Sequence, residues 1–418
     1  MKVLWFTNTP SLYDRGKHHY HGGGWIESLE DLISKRPEIE LAIAFFHPND
    51  NKKVKNDGVC YFPILRKTGK KNPVRSLINN WCGRLEHDDY QKTFSNIIDD
   101  FKPDVIQVFG TEGPFALIQE FTKVPVLVHL QGIINPILNS FYPSGFSKWD
   151  FILNPRLFFK NLIGSSPFFS YKRFKTQAER EKKILAKLNY VCGRTEWDRE
   201  IVEFFNPIVR YFHVDEVLRP VFYEKSSYTN PNKTEKFIIL STLSPTIYKG
   251  IDVMLKTAGI LSEMTDVEFE WRVIGLDTSS DLLHLFEQKL GKQHQSVGIK
   301  LLGKMSPEQI IDQMLNADVF VHPSYIDNSP NSVCEAQILG IPVIACDVGG
   351  LSSLIDHKES GILVPSNGVF ELVHYLKLLR MDNDLKSKLG ERGKEKAQVR
   401  HEKERIVETL LAVYKEIH

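Results

Sequence analysis

Short runs of β-branched and aromatic residues alternate with amphipathic helical segments along most of the chain, and this alternation limits the fold more than any other feature. VLWF, ELAIAFF, DVIQVF and VPVLVHL read as brief buried strands. Between the first two, WIESLEDLISKR places Ile26, Leu29, Leu32 and Ile33 on one helical face. A second series follows residue 230: FIILSTLS, FEWRVIG, VGIKLLG, DVFVHPS and IPVIACD. Within it, SPEQIIDQMLNA has Ser306 as a helix cap, Pro307 at the first helical position and Glu308 in the first turn. Strand–helix alternation of this kind predicts parallel sheets covered by helices on both faces.

The chain has 418 residues, more than one hydrophobic core usually organises. The polar stretch 224–236 (EKSSYTNPNKTEK) lacks periodicity and reads as a linker. The expected architecture is therefore α/β, with two doubly wound Rossmann-like domains over 1–224 and 225–400. A helix over 401–418 is expected to pack back on the first domain. On such sheets ligands bind beyond the carboxyl ends of the strands, so the cleft between two of them is the expected reaction site.

Composition excludes some classes. A formal net charge of +1 is not that of a globally basic nucleic-acid binder. Five scattered cysteines without a CxxC argue against a disulfide framework or zinc cage and favour a reducing compartment. No stretch approaches the roughly 18 apolar residues of a membrane span. The opening MKVLWFTNTP has too short an apolar core for a signal peptide. A soluble cytoplasmic protein is expected.

The most informative loop is HPSYIDNSPNSVCEAQILGIPVIACDVGG (322–350), just past the end of a predicted strand. A helix starting near Asn331 or Ser332 points its free N–H groups and positive dipole end at the cleft, ready for an anion. Asp327 and Glu335 bracket that start. Carboxylates do not bind phosphate, but they accept hydrogen bonds from vicinal hydroxyls such as those of a ribose. On residue types alone, a second reading stands beside this one: Glu335 favours the helix dipole and Asp327 caps a turn.

This segment resembles the donor-binding signature of the GT-B retaining glycosyltransferases of family 4, in which two acids separated by seven residues bracket the loop. Asp327 and Glu335 have that spacing; Pro330, Asn331, Ala336, Gly340, Pro342, Gly349 and Gly350 fall where the pattern wants them, as does SGILVP (360–365). The family's first acid is usually Glu, and here it is Asp327. The resemblance implies a GT-B fold and a donor site that includes Asn328, Ser329, Pro330, Asn331, Ser332, Val333 and Glu335, with Asp327 on the transferred sugar. It implies a nucleotide-sugar donor (UDP-sugar favoured, GDP-sugar the alternative) and no required cofactor or metal.

In the turn TLSPTIYKG (242–250) the resemblance implies an Arg and a Lys on the donor pyrophosphate. Lys249 matches the Lys and is the implied catalytic cation, since charge builds on the departing oxygen. Thr242 stands at the Arg position, with Ser244 beside it. Lys304 and Arg194 are candidate substitutes for the missing Arg. Base recognition is implied around the backbone of Gly303 and Lys304.

HHYHGGGW (18–25) precedes the first amphipathic helix. Gly22, Gly23 and Gly24 let a ligand approach the backbone closely and expose N–H groups. Family 4 places a Gly-rich loop here, facing the donor diphosphate and the acceptor. His18, His19 and His21 lack an evident carboxylate or Cys partner for a metal, and acceptor contact is the preferred reading. In VLVHLQGIINPI the family's usual His corresponds to Gln131, which hydrogen-bonds a hydroxyl but cannot shuttle a proton. His129, on the same strand face, and Asn135 are further acceptor candidates. Residues 154–188 mix Arg, Lys and Phe, a combination suited to peripheral contact with anionic headgroups or to an ordinary solvated basic face.

The favoured function is sugar transfer from a nucleotide sugar to a saccharide or lipid-linked saccharide in bacterial surface polysaccharide assembly. A nucleotide-sugar epimerase of the same architecture is the alternative. A periplasmic-type sugar-binding protein requires an export signal that the opening residues lack.

Overall fold

The computed structural model describes residues 1–14, 24–49, 52–66, 73–83, 90–224, 236–264 and 268–418. Two parallel α/β sheets form two Rossmann-like domains. The N-terminal sheet comprises β1 (Lys2–Thr7), β2 (Glu40–His47), β3 (Val54–Asn56), β4 (Val59–Leu65), β5 (Val105–Phe109), β6 (Val126–His129), β7 (Tyr190–Gly193) and β8 (Arg210–His213). Its order is β3-β4-β2-β1-β5-β6-β7-β8. Only the edge strand β3 runs antiparallel, against β4. Val3, Leu4, Trp5 and Phe6 are all fully buried, so apolar side chains on both faces of β1 are covered, as expected of a parallel sheet clad by helices.

The C-terminal sheet comprises β9 (Phe237–Thr242), β10 (Phe269–Ile274), β11 (Ile299–Gly303), β12 (Val319–His322), β13 (Val343–Cys346) and β14 (Ile362–Val364). Its order is β11-β10-β9-β12-β13-β14, all parallel. The chain reverses direction of winding between β9 and β12, and in the first domain between β1 and β5. Crevices open at such switch points beyond the strand ends, and this geometry positions the site.

Two segments tie the domains together. The helix Lys403–Ile417 carries Ile406, Val407, Leu410, Leu411, Tyr414 and Ile417 as one apolar stripe packed on Trp5 and Ile43 of the N-terminal sheet. Trp5 Nε1 donates to the Tyr414 hydroxyl at 2.9 Å. In the opposite direction, Phe141, Phe151 and Leu157 join the core around Trp271 and Phe286 of the C-terminal domain. Most of the stretch expected to be a linker lies outside the described residues.

Candidate functional site

The helix Asn331–Leu339 follows the β12 loop at the switch point, starting where the residue pattern predicts. Pro330 precedes it at the capping position and supplies no side-chain cap. Its first residues, Asn331 and Ser332, line a cavity of about 370 Å³ together with Thr242, Ser244, Lys304, Arg219 and Glu335. Gly24 lines it from the N-terminal domain. The N-terminus of a helix, two cations and a carboxylate thus surround one space, an environment that accepts an anion bearing hydroxyl groups.

Each acid of the motif holds one cation. Lys249 Nζ donates to Asp327 Oδ2 at 2.6 Å, and His322 Nε2 lies 3.0 Å from the same oxygen. Burial opposes ionisation of Asp327, but Lys249 and His322 outweigh it and hold the carboxyl well below the usual carboxylate range. Arg219 donates to Glu335 Oε1 from Nε and Nη2, each at 2.8 Å. There burial prevails and the Glu335 pKa rises, with Arg219 pulling it back. The backbone fixes these placements. Gly250, at φ 77°, lets the turn after Lys249 pass so close to the Pro323 carbonyl that a Cβ would sit 2.0 Å from its oxygen. Gly349, at φ 56°, packs likewise against the Asp327 carbonyl.

The loop between the two acids faces the other domain. Asn328 Nδ2 donates to the Gln131 carbonyl (3.1 Å) and to Asp198 Oδ2 (2.9 Å), while its Oδ1 accepts from Thr195 Oγ1 at 2.6 Å. Ser329 Oγ donates to Glu216 Oε1 at 2.7 Å. Expected from the sequence to bind donor, these two side chains are engaged in joining the domains. Of the two candidates for the missing Arg, Arg194 turns inward: it is buried, lies 3.7 Å from Glu216 and donates to the Gln131 carbonyl. Lys304 lines the first cavity. Arg219 was not marked by any motif in the sequence, and it stands at the same cavity.

A second cavity of about 380 Å³ has Asp327 and Lys249 in its lining, and neither residue lines the first. Gln131, Asn328, Trp197, Tyr248 and Glu112 line it. Gln131 Oε1 accepts from Asn8 at 3.1 Å, and its Nε2 has no partner among the described residues. His129 is fully buried, 4.9 Å from the Trp25 ring centroid, and burial pushes its pKa down to about 3. It is a neutral core residue. Asn135 is occupied by the Ala178 carbonyl and Glu181. His18, His19, His21, Gly22 and Gly23 lie outside the described residues.

Glu112, also unmarked in the sequence, enters this cavity from the turn after β5. Its Oε1 accepts from Gly132 N–H at 2.9 Å. Burial, aided by nearby Glu181, nevertheless pushes the carboxyl up to about 7. Above its ordinary value of 4.5 the unfolded chain releases this proton while the folded chain keeps it, so the wild type loses stability as pH rises to about 7. Glu112→Gln, which preserves the acceptor for Gly132, is expected to be roughly 1–3 kcal/mol more stable than wild type near pH 8 and equal to it near pH 4. Urea melts at the two pH values check this; a pH-independent difference contradicts it.

Among the described residues, Glu216, Cys334 and His401 approach one another closely enough to suggest a metal. Arg194 and Arg400 each lie 3.7 Å from Glu216 and already supply its counter-charge. A cation does not fit there.

Residues 223–396, essentially the C-terminal domain, match the family model described as glycosyl transferases group 1. An uncharacterized glycosyltransferase of Methanocaldococcus jannaschii is 23% identical over 100% of this chain and 99% of its own. An amylovoran biosynthesis glycosyltransferase of Erwinia amylovora is 29% identical over 30% of this chain and 32% of its own. Among solved structures, Anabaena HepE in complex with UDP superposes with a TM-score of 0.65 at 14% identity, covering 100% of both chains. The fold is GT-B.

Proposed function

We propose that this chain is a retaining, metal-independent glycosyltransferase of family 4. It moves a sugar from a nucleotide sugar, with UDP favoured over GDP, to a saccharide or lipid-linked saccharide in surface polysaccharide assembly. The single observation that carries the reading is the pair of cation–carboxylate contacts, Lys249–Asp327 and Arg219–Glu335, flanking the helix that starts after Pro330 at the switch point. The family-model match and the glycosyltransferase relatives support it, and the UDP bound to HepE favours a uridine donor.

In this reading the helix N-terminus, Arg219, Lys304 and Lys249 hold the diphosphate. Glu335 accepts from the ribose hydroxyls and Asp327 from the transferred sugar. The backbone at Gly303 and Lys304 meets the base, and Thr242, Ser244 and Ser332 line the phosphate path. Gln131 faces the acceptor across the second cavity. The bond from C1 to the diphosphate oxygen breaks with its electron pair going to that oxygen. The acceptor hydroxyl bonds to C1 on the same face and gives its proton to the departing oxygen. The cations neutralise the charge that develops there, so the chemistry assigns no step to a metal. With both motif acids engaged by cations, neither stands ready as the base that the epimerase alternative requires.

A thermal-shift panel of UDP-, GDP-, ADP- and dTDP-glucose tests the reading. A ligand at 100 times its Kd stabilises the folded state by roughly 2.7 kcal/mol. A clear rise in Tm is expected for the UDP or GDP member. A panel in which none raises Tm overturns the proposal.

A further inference from the structure

We propose that the N-terminal domain docks on an anionic lipid surface through an apolar platform beside the second cavity, so that the acceptor is presented from that surface. Sixteen large apolar side chains are conspicuously exposed among the described residues, and ten of them fall within two short segments, 74–81 and 149–163. A soluble surface scatters such residues singly; a contiguous cluster marks an interaction site. The two segments form one surface, because Trp81 Nε1 donates to the Leu162 carbonyl at 2.8 Å and Asn80 Nδ2 to the Ile163 carbonyl at 3.3 Å. Phe159 at its crest is 77% exposed.

Charge selects the occupant. From 148 to 175 the chain carries six Lys and Arg residues against one acid, Asp150. That acid is neutralised by Lys289 at 2.7 Å. Lys160 is spent on Asp281 and Lys175 faces Glu179 on its own helix, but Lys148 and Arg156, which flank the apolar crest in sequence, are exposed. Aromatic and aliphatic side chains ringed by cations match the boundary between acyl chains and anionic headgroups. No helix among the described residues is long and apolar enough to cross a membrane, so contact is made by surface adsorption.

The helix Pro167–Leu185 links this platform to the site. Phe169, near its start, packs on Trp81 with ring centroids 5.5 Å apart. Phe174 and Gln177 of the same helix line the second cavity. Five to eight residues of helix span about 8–12 Å, which is within reach of a sugar carried on a lipid headgroup. This presentation of the acceptor rests on the glycosyltransferase reading; the adsorption does not.

Flotation of the full chain with vesicles of phosphatidylcholine, or of equal parts phosphatidylcholine and phosphatidylglycerol, tests the proposal. Wild type is expected to float with the anionic vesicles, and Phe158→Ser/Phe159→Ser to lose at least tenfold in partitioning. Both proteins are expected to keep the same Tm and, where the wild type shows one, the same shift with UDP-glucose. Lys148→Glu/Arg156→Glu, which leaves the apolar crest intact, is expected to lose partitioning in the same direction. Wild type remaining with the pellet fraction in both lipids, or the Phe variant floating equally well, overturns the proposal. So does light scattering that shows a wild-type dimer dissociated by the Phe variant, since the platform is then an interface between copies. A nucleotide panel without any response leaves flotation unchanged, so the two readings fail separately.

Discussion

Lys249→Ala is expected to lower turnover by roughly one to two orders of magnitude, with a smaller loss in nucleotide affinity. Lys249 lines the second cavity, 2.6 Å from Asp327, and in the proposed reading the departing diphosphate oxygen gains its charge beside it. In that reading Arg219 and the helix N-terminus still hold the ground-state phosphates in the variant, so the deficit falls on kcat rather than on binding. Stability changes too. The depressed pKa of Asp327 contributes stability that is present above the ordinary carboxylate range and lost as pH falls through the folded value. Without Lys249, His322 is the side chain left hydrogen-bonded to this carboxylate among the described residues. The variant is therefore expected to lose roughly 1–3 kcal/mol at neutral pH and to show less of the acid-side dependence. Single-turnover rates and urea melts measure the two effects. Turnover within threefold of wild type would remove Lys249 from the chemistry.

The C-terminal half was far more legible than the N-terminal half, and particular residues show why. Phe237–Thr242, Val319–His322 and Val343–Cys346 are short, apolar and buried on both faces, so they stand out as runs between amphipathic helices. The spacing of Asp327 and Glu335 encodes a local structure, a loop and the first turn of one helix. By contrast, Arg210–His213 is half-buried and mixed in character, and Val59–Leu65 carries Pro63 within it. Neither shows the pattern of a buried strand. Arg219 meets Glu335 across 116 positions of sequence, and Glu112 gains its surroundings from Gly132 and Glu181. Such pairings depend on how the sheets bring distant loops together, and no period or spacing records them. Asn328 failed in the opposite way. Its loop position is that of a ligand-binding residue, but its amide is used up by Thr195, Asp198 and the Gln131 carbonyl.

Arg219 lines the proposed donor cavity although no sequence motif marked it, so its role calls for a cycle of variants. Glu335→Ala is expected to weaken nucleotide binding about tenfold or more through the lost ribose contact. Arg219→Ala is expected to do at least as much: it removes a cation and leaves Glu335, 6% exposed, without its partner. The Glu335 pKa, already raised by burial, climbs further in that variant. An acid with a raised folded pKa costs stability as pH rises from its unfolded value toward its folded one, so Arg219→Ala is expected to fall further behind wild type at pH 7 than at pH 5. The double variant separates two roles. If Arg219 merely positions Glu335, then Arg219→Ala adds nothing once Glu335 is gone, and the double variant binds UDP like Glu335→Ala. If Arg219 also meets the diphosphate, as the shared cavity with Lys304 and Ser332 implies, the double variant binds at least tenfold more weakly than Glu335→Ala. Calorimetric titration of UDP into the four proteins reads this difference directly. Equal affinities for the single and double variants would return Arg219 to a purely structural part and leave Lys249, Lys304 and the helix N-terminus as the whole of the phosphate site.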